Sequence, residues 1–152
     1  MAWPRAFAQQ RSRVERDGVA AAPLAVGLID IDNFKQLKHS LGPAAGDVAL
    51  KHLAARVKDW LRPVDHGARF GGEEFVVLLP GTPVAEGQQV LTRLQRRLSA
   101  SLFMHEGQEV FVTFSAGVTP WRPGETIDAA LARADEGLYE AKRTGKNRTC
   151  IA

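Results

Sequence analysis

Apolar residues recur along this chain at two spacings, one helical and one extended, and the switches between them divide it into elements. Trp3 to Asp17 reads as a helix, with Phe7 and Val14 on one face and Gly18 as its stop. Leu24–Asp30 is an apolar run and reads as a strand, and the continuous apolar run Phe75–Leu79 reads as a strand covered on both faces. Asn33–Ser40 is a short helix through Phe34, Leu37 and Leu41, broken by the glycines and proline of 41–46. Asp47 is placed to N-cap a long helix to Leu61, buried through Val48, Leu50, Leu53, Val57, Trp60 and Leu61. Two apolar runs then flank Gly71-Gly72-Glu73-Glu74, the pattern of a β-hairpin over residues 68–80. A third long helix is expected from Val84 to Ser101 on Val90, Leu91, Leu94 and Leu98. Met104–Gln108 reads as a loop and Glu109–Val118 as a strand. Thr126 N-caps a helix to about Thr144, buried through Ile127, Ala130, Leu131, Ala134, Leu138 and Ala141, and Arg148–Ile151 is a short edge strand.

The order α-β-α-α-β-β-α-β-α-β implies an α+β fold. Its core is a central, mainly antiparallel five-stranded sheet flanked by helices, with the hairpin in the middle of the sheet. The 152 residues suit a single domain. The formal charge of +3 is spread along the chain, which fits a phosphate-bearing ligand and gives no footprint for a nucleic-acid duplex. Cys150 is the only cysteine, so no internal disulfide forms and a reducing cytoplasmic setting is expected. No apolar stretch approaches the roughly 20 residues of a membrane span, and no membrane contact is expected. The opening Met1-Ala-Trp-Pro-Arg5 has no apolar signal segment.

The candidate chemistry lies in two acidic clusters. Asp30 and Asp32 end the first strand, and Glu73 and Glu74 sit at the hairpin tip. Taken singly, each has a bland reading: Asp32 as a helix cap, Gly-Gly-Glu-Glu as a solvated turn. If the first strand lies beside the hairpin, all four carboxylates share one end of the sheet. Carboxylate oxygens suit Mg²⁺. A helix begins just after Asp32, so its free N–H groups and Lys35 can hold phosphate oxygens. Acids for a hard cation, a helix N-terminus for phosphates, and glycines that admit close approach together describe metal-assisted phosphoryl transfer.

Several spaced motifs carry a resemblance to a known family: Gly71-Gly-Glu-Glu-Phe75, Asp30-Ile-Asp-Asn-Phe-Lys35, Gly46-Asp47, Ser115-Ala-Gly-Val118, Ala134-Asp-Glu-Gly-Leu-Tyr139 and Ala141-Lys-Arg-Thr-Gly-Lys-Asn-Arg148. With them the chain resembles the GGDEF domain of diguanylate cyclases, which condense two GTP into cyclic di-GMP, and it does so over nearly its whole length. The resemblance implies a palm-like nucleotide-cyclase fold. It implies Mg²⁺ (or Mn²⁺) on Asp30, Glu73 and the Ile31 carbonyl, with Glu73 also helping to deprotonate the attacking 3′-hydroxyl and Glu74 supporting the site. The triphosphate falls to the amides of Asn33, Phe34 and Lys35 and to the side chains of Lys35, Lys142 and Lys146. Gly71 and Gly72 line the nucleotide, and Asp47 accepts from the guanine ring N–H and amino group. Each domain holds one GTP, so a homodimer is needed for catalysis. Arg62, Asp65 and Arg93 match the family's inhibitory site for cyclic di-GMP; the bland reading of Arg62 and Asp65 is a surface ion pair worth ~0–1 kcal/mol.

Two departures bear on function. Lys38, a donor-only side chain, stands where the family usually has an Asn that contacts guanine, and His39 stands where an Asp is common. The usual opening Asp-x-Leu-Thr-x-Leu-x-Asn-Arg is missing ahead of Trp3. The sequence therefore reads as the C-terminal output domain of a longer regulated protein, less active without that segment. Three readings follow: an active cyclase, which is favoured; a domain that only binds cyclic di-GMP through Arg62 and Asp65; and a dinucleotide cyclase of relaxed base choice. Intact Asp30, Glu73 and Glu74 argue against the second, and Lys38 leaves the third open.

Overall fold

The computed structural model describes residues 23–152. The helix expected over Trp3 to Asp17 lies outside the described residues. Seven strands and four helices follow: β1 (Leu24–Ile31), α1 (Phe34–Leu41), α2 (Pro43–Trp60), β2 (His66–Gly71), β3 (Glu74–Pro80), α3 (Val84–Ser99), β4 (Phe103–His105), β5 (Gln108–Val110), β6 (Phe114–Pro120), α4 (Ile127–Arg143) and β7 (Thr149–Ile151). The five-stranded sheet has the order β2-β3-β1-β6-β7 and is antiparallel except for the β6–β7 pair. This is the expected α+β architecture.

The hairpin, however, forms one side of the sheet, with β2 at its edge, and β1 takes the centre. The reason is burial. All eight residues of β1 are buried, so it needs a strand on each side and a layer on each face. Ile29 and Ile31 face α1, α2 and α3, where Phe34, Leu50, Leu53, Leu91, Leu94 and Leu98 close the larger core. Val26 and Leu28 face α4 and pack with Ile127, Leu131, Ala134 and Leu138. Gln95, 3% exposed among the leucines of α3, fastens the far edge. Its amide donates to the Phe114 carbonyl and accepts from Thr149 Oγ1, both at 3.0 Å. Among the described residues no helix is long and apolar enough to cross a membrane.

Three local readings need correction. α2 begins at Pro43, not at Asp47: proline, whose missing N–H is no loss in a first turn, occupies the start of the helix, and Asp47 lies one turn inside. Residues 104–108 are no loop, because β4 and β5 pair around Glu106 and Gly107, which both lie at positive φ. Two such residues make a tight hairpin turn of the I′ kind. The strand expected over Glu109–Val118 is accordingly two strands, β5 and β6.

Candidate active site

The site is built by strand register. β1 and β3 are antiparallel with Asp30 opposite Glu74, so the two carboxylates rise from the same face. Gly71 pairs with Glu74, which leaves Gly72 and Glu73 as the hairpin tip. Gly72 has φ +46 and nothing within 4 Å of the place a Cβ would take, so the space above the tip is open. From the last turn of α4, Lys142 Nζ donates to Asp30 Oδ2 at 2.7 Å. Asp30 Oδ1 is buried with no hydrogen-bond partner. Ile31 is 1% exposed with its side chain in the core, so only its backbone can serve the site.

Burial raises the Asp30 carboxyl above its ordinary pKa, against the hydrogen bond and charge of Lys142. Glu73 is raised by burial and then by Asp30. Glu74 is raised by burial, then by Asp30 and by Asp135. Asp135, exposed on α4, is a site residue the sequence reading missed. The available signal was its spacing, two helical turns before Lys142. Among the described residues no three His, Cys, Asp or Glu side chains close on one point as a ready-made metal cage. A cation here would need backbone and ligand oxygens as well. The donor set still fits a hard divalent ion: the oxygens are carboxylate, one of them is buried without a donor, and their charges repel until a cation arrives.

The cluster yields a pH prediction. A raised pKa in the fold means that ionised Glu74 opposes folding above the ordinary carboxylate range. Glu74→Gln keeps the shape and removes that charge. Its urea midpoint at pH 7 is expected to exceed that of the parent, and the difference should shrink as the pH falls below that range, where both side chains are neutral.

Beside the acids lies a second polar centre. Asp32, 5% exposed, accepts from Thr113 Oγ1 at 2.7 Å, Ser115 Oγ at 2.6 Å and the Asn147 amide at 3.0 Å. It ties β1 to β6 and to the turn after α4 and is no helix cap. Asn33 precedes α1 in the left-handed region, φ 57, and its Oδ1 accepts from Lys146 Nζ at 2.6 Å. No acidic residue occupies the first turn of α1, so the positive end of that helix is not neutralised within it. Lys35 is exposed there.

A cleft of about 830 Å³ runs between α2 and the edge strand β2. Asp47 and Arg69 mark its end toward the hairpin tip, Leu50, Ala54 and Val57 are among its apolar residues, and Arg62 and Asp65 mark the other end. Arg62 Nη2 donates to Asp65 Oδ1 at 2.7 Å and to Thr82 Oγ1 at 2.9 Å, and the Asp65 side chain is only 2% exposed.

Residues 3–148 match the family described as Diguanylate cyclase, GGDEF domain. The chain belongs to the GGDEF-domain family. It is 42% identical over 144 residues to diguanylate cyclase DgcP of Pseudomonas aeruginosa, covering 95% of this chain and 21% of that relative. The chain thus spans about a fifth of that protein's length. Its structure is similar to the GGDEF domain of DgcB from Caulobacter crescentus in complex with c-di-GMP, with a TM-score of 0.87 and 26% identity over 97% of this chain and 88% of that one. It is also similar to the active GGEEF domain of a diguanylate cyclase from Vibrio cholerae, with a TM-score of 0.84 and 32% identity over 95% of this chain and 92% of that one.

Within this GGDEF domain the expected residues other than Lys38 and Arg93 fall into three places. Asp30, Glu73, Glu74 and Lys142 converge at the hairpin tip, and Lys146 joins Asn33 beside α1. Asp47, Arg62 and Asp65 share the cleft. Lys38 lies apart from the cleft's lining: its stem packs where a Cβ on Gly46 would stand 2.7 Å away, and its Nζ sits 4.8 Å from the Phe34 ring centroid. Arg93 is exposed on α3, outside that lining, and Asp65 already has Arg62 for a partner.

Proposed function

We propose that this domain is a diguanylate cyclase that condenses two GTP into cyclic di-GMP and releases pyrophosphate. The observation that carries the reading is the convergence of Asp30, Glu73 and Glu74 at one sheet end, beside the unneutralised start of α1 and the two lysines Lys142 and Lys146. Asp30, Glu73 and the Ile31 carbonyl are the residues that would hold Mg²⁺ (or Mn²⁺), and the ion supplies charge neutralisation at the phosphates. The amides of Asn33, Phe34 and Lys35 and the side chains of Lys35, Lys142 and Lys146 hold the triphosphate, with Gly71 and Gly72 leaving room along the nucleotide. Glu73 takes the proton of the 3′-hydroxyl as its oxygen bonds to the α-phosphorus of the other GTP, and pyrophosphate leaves. Glu74, opposite Asp30 across the β1–β3 pair, supports the same site. The GTP requirement and the lone thiol of Cys150 suit the cytoplasm.

One domain holds one GTP, so two must face each other, and a homodimer is the working unit. Synthesis should rise more steeply than linearly with protein concentration. Specific activity that stays flat on dilution of a demonstrably monomeric protein would rule out paired half-sites. Cyclic di-GMP returns to the cleft at Arg62 and Asp65 as inhibitor. In that step Asp65 exchanges part of its bond with Arg62 for guanine donors, and Arg93, exposed on α3, offers a further guanidinium.

Base choice rests on Asp47. Adenine cannot present the ring N–H and amino pair that Asp47 accepts, and a polar site left unpaired rejects the analogue. Lys38, engaged with Phe34, offers no acceptor. Asp47→Ala is therefore expected to erode the preference for GTP over ATP by about 10-fold or more, and Lys38→Ala by less. Competition assays with both nucleotides check it.

A further inference from the structure

The peptide that joins Gly72 to Glu73 is the tip of the hairpin, and its conformation decides where Glu73 projects. Gly72 lies at φ +46 and Glu73 does not lie at positive φ. Positive φ at the first turn residue alone is the pattern of the II′ class. The I′ class differs by turning over that central peptide and taking the second residue to positive φ as well, a conformation unfavourable for a residue with a Cβ. The central peptide's oxygen is the Gly72 carbonyl. Arg69 Nε donates to it at 2.9 Å. Packing supplies no substitute, since Gly72 is exposed with nothing beside it within 4 Å of a Cβ position. The β2–β3 register also shifts between Arg69 and Gly71, a bulge of the sort that re-aims a side chain next to a site.

We propose that Arg69 is a positioning residue: by holding the Gly72 carbonyl it fixes the central peptide of the turn and hence the backbone from which Glu73 projects. The kinetic part of this inference rests on the cyclase reading; the conformational part does not. Arg69→Met removes the donor and keeps the apolar stem. Arg69→Lys restores a donor to the same carbonyl.

The first test is ¹⁵N relaxation dispersion on the ligand-free domain. In Arg69→Met the Glu73 amide should show exchange on the μs–ms scale that the parent lacks, and Arg69→Lys should suppress most of it. In the second test, Arg69→Met should lower kcat about 10²-fold, the scale of a small misplacement, with KM for GTP unchanged within about threefold. A Glu73 amide in Arg69→Met that behaves as in the parent would overturn the proposal. So would a raised KM at unchanged kcat, which would mean that Arg69 touches the substrate instead. A parent protein that makes no cyclic di-GMP, beside a broadened Glu73 amide in the variant, would sink the cyclase reading and support the positioning role.

Discussion

Glu73→Gln is expected to lower dinucleotide synthesis by at least about 10³-fold, the scale of several kcal/mol of lost charge stabilisation, and to leave the domain folded. Glutamine keeps the size and reach of the side chain but gives up the negative charge a divalent cation needs and the basicity that accepts a proton. The fold should hold because Glu73 is half-buried at a turn and burial already disfavours its ionised form. Cyclic di-GMP binding at Arg62 should survive, since Arg62 and Asp65 stand at the far end of the α2–β2 cleft. Calorimetry on the variant therefore serves as the control for folding and for the second site. Mixing the variant with the parent should also reduce activity below that of the parent alone, because mixed pairs contain one inert half. Turnover of GTP at near the parent rate would dismiss Glu73 from the chemistry.

The largest structural effect is expected at Gly117. α4 crosses the sheet with backbone against backbone. A Cβ on Gly117 would stand 1.9 Å from the Ala134 carbonyl oxygen and 2.4 Å from the Leu138 nitrogen. Across the contact, a Cβ on Gly137 would meet the Cys150 carbonyl oxygen at 2.7 Å. No rotamer change relieves a clash with main chain, so α4 would have to move off β6. Gly117→Ala should cost about 4 kcal/mol or more, which lowers the thermal midpoint of a domain this size by roughly 10 °C. Because α4 also carries Lys142 to Asp30, the displaced helix should weaken the active site as well. Thermal unfolding followed by circular dichroism measures the shift. A midpoint within about 2 °C of the parent would show that α4 can shift at little cost.

These two sites differ in how far the sequence could announce them. Glu73 was legible because the apolar run of β3 begins just after it, which sets its turn at the end of the sheet, and the uninterrupted run of β1 puts Asp30 at the same end. The helical stripes of α2, α3 and α4 were legible for the same reason, since apolar spacing reports burial directly. The two small motifs around Gly117 and Gly137 were visible only as a resemblance; their cause is a contact between residues 20 apart in the chain. The start of α2 was misread because Asp47 has the chemistry of a cap while Pro43, four residues earlier, has the geometry of a first turn. The β4–β5 hairpin escaped notice because Glu106 is not a usual residue for positive φ. Asp32 could not be assigned, as its three donors come from residues more than 80 positions away. Arg62 and Asp65, three apart, were legible as a pair, but not that Asp65 would be almost wholly covered by the arrangement. The resting place of Lys38, on Phe34 and over Gly46, depends on how two helices cross and has no signature in the local sequence.

The measurement that bears most directly on the function is product identification by mass after incubating the domain with Mg²⁺ and GTP, ATP or both. Cyclic di-GMP from GTP alone, none of the adenine dinucleotide from ATP alone, and at most a trace of mixed product is the expected result. No cyclic dinucleotide from GTP at any protein concentration, in a domain that binds cyclic di-GMP, would contradict the cyclase assignment and leave a binding module in its place.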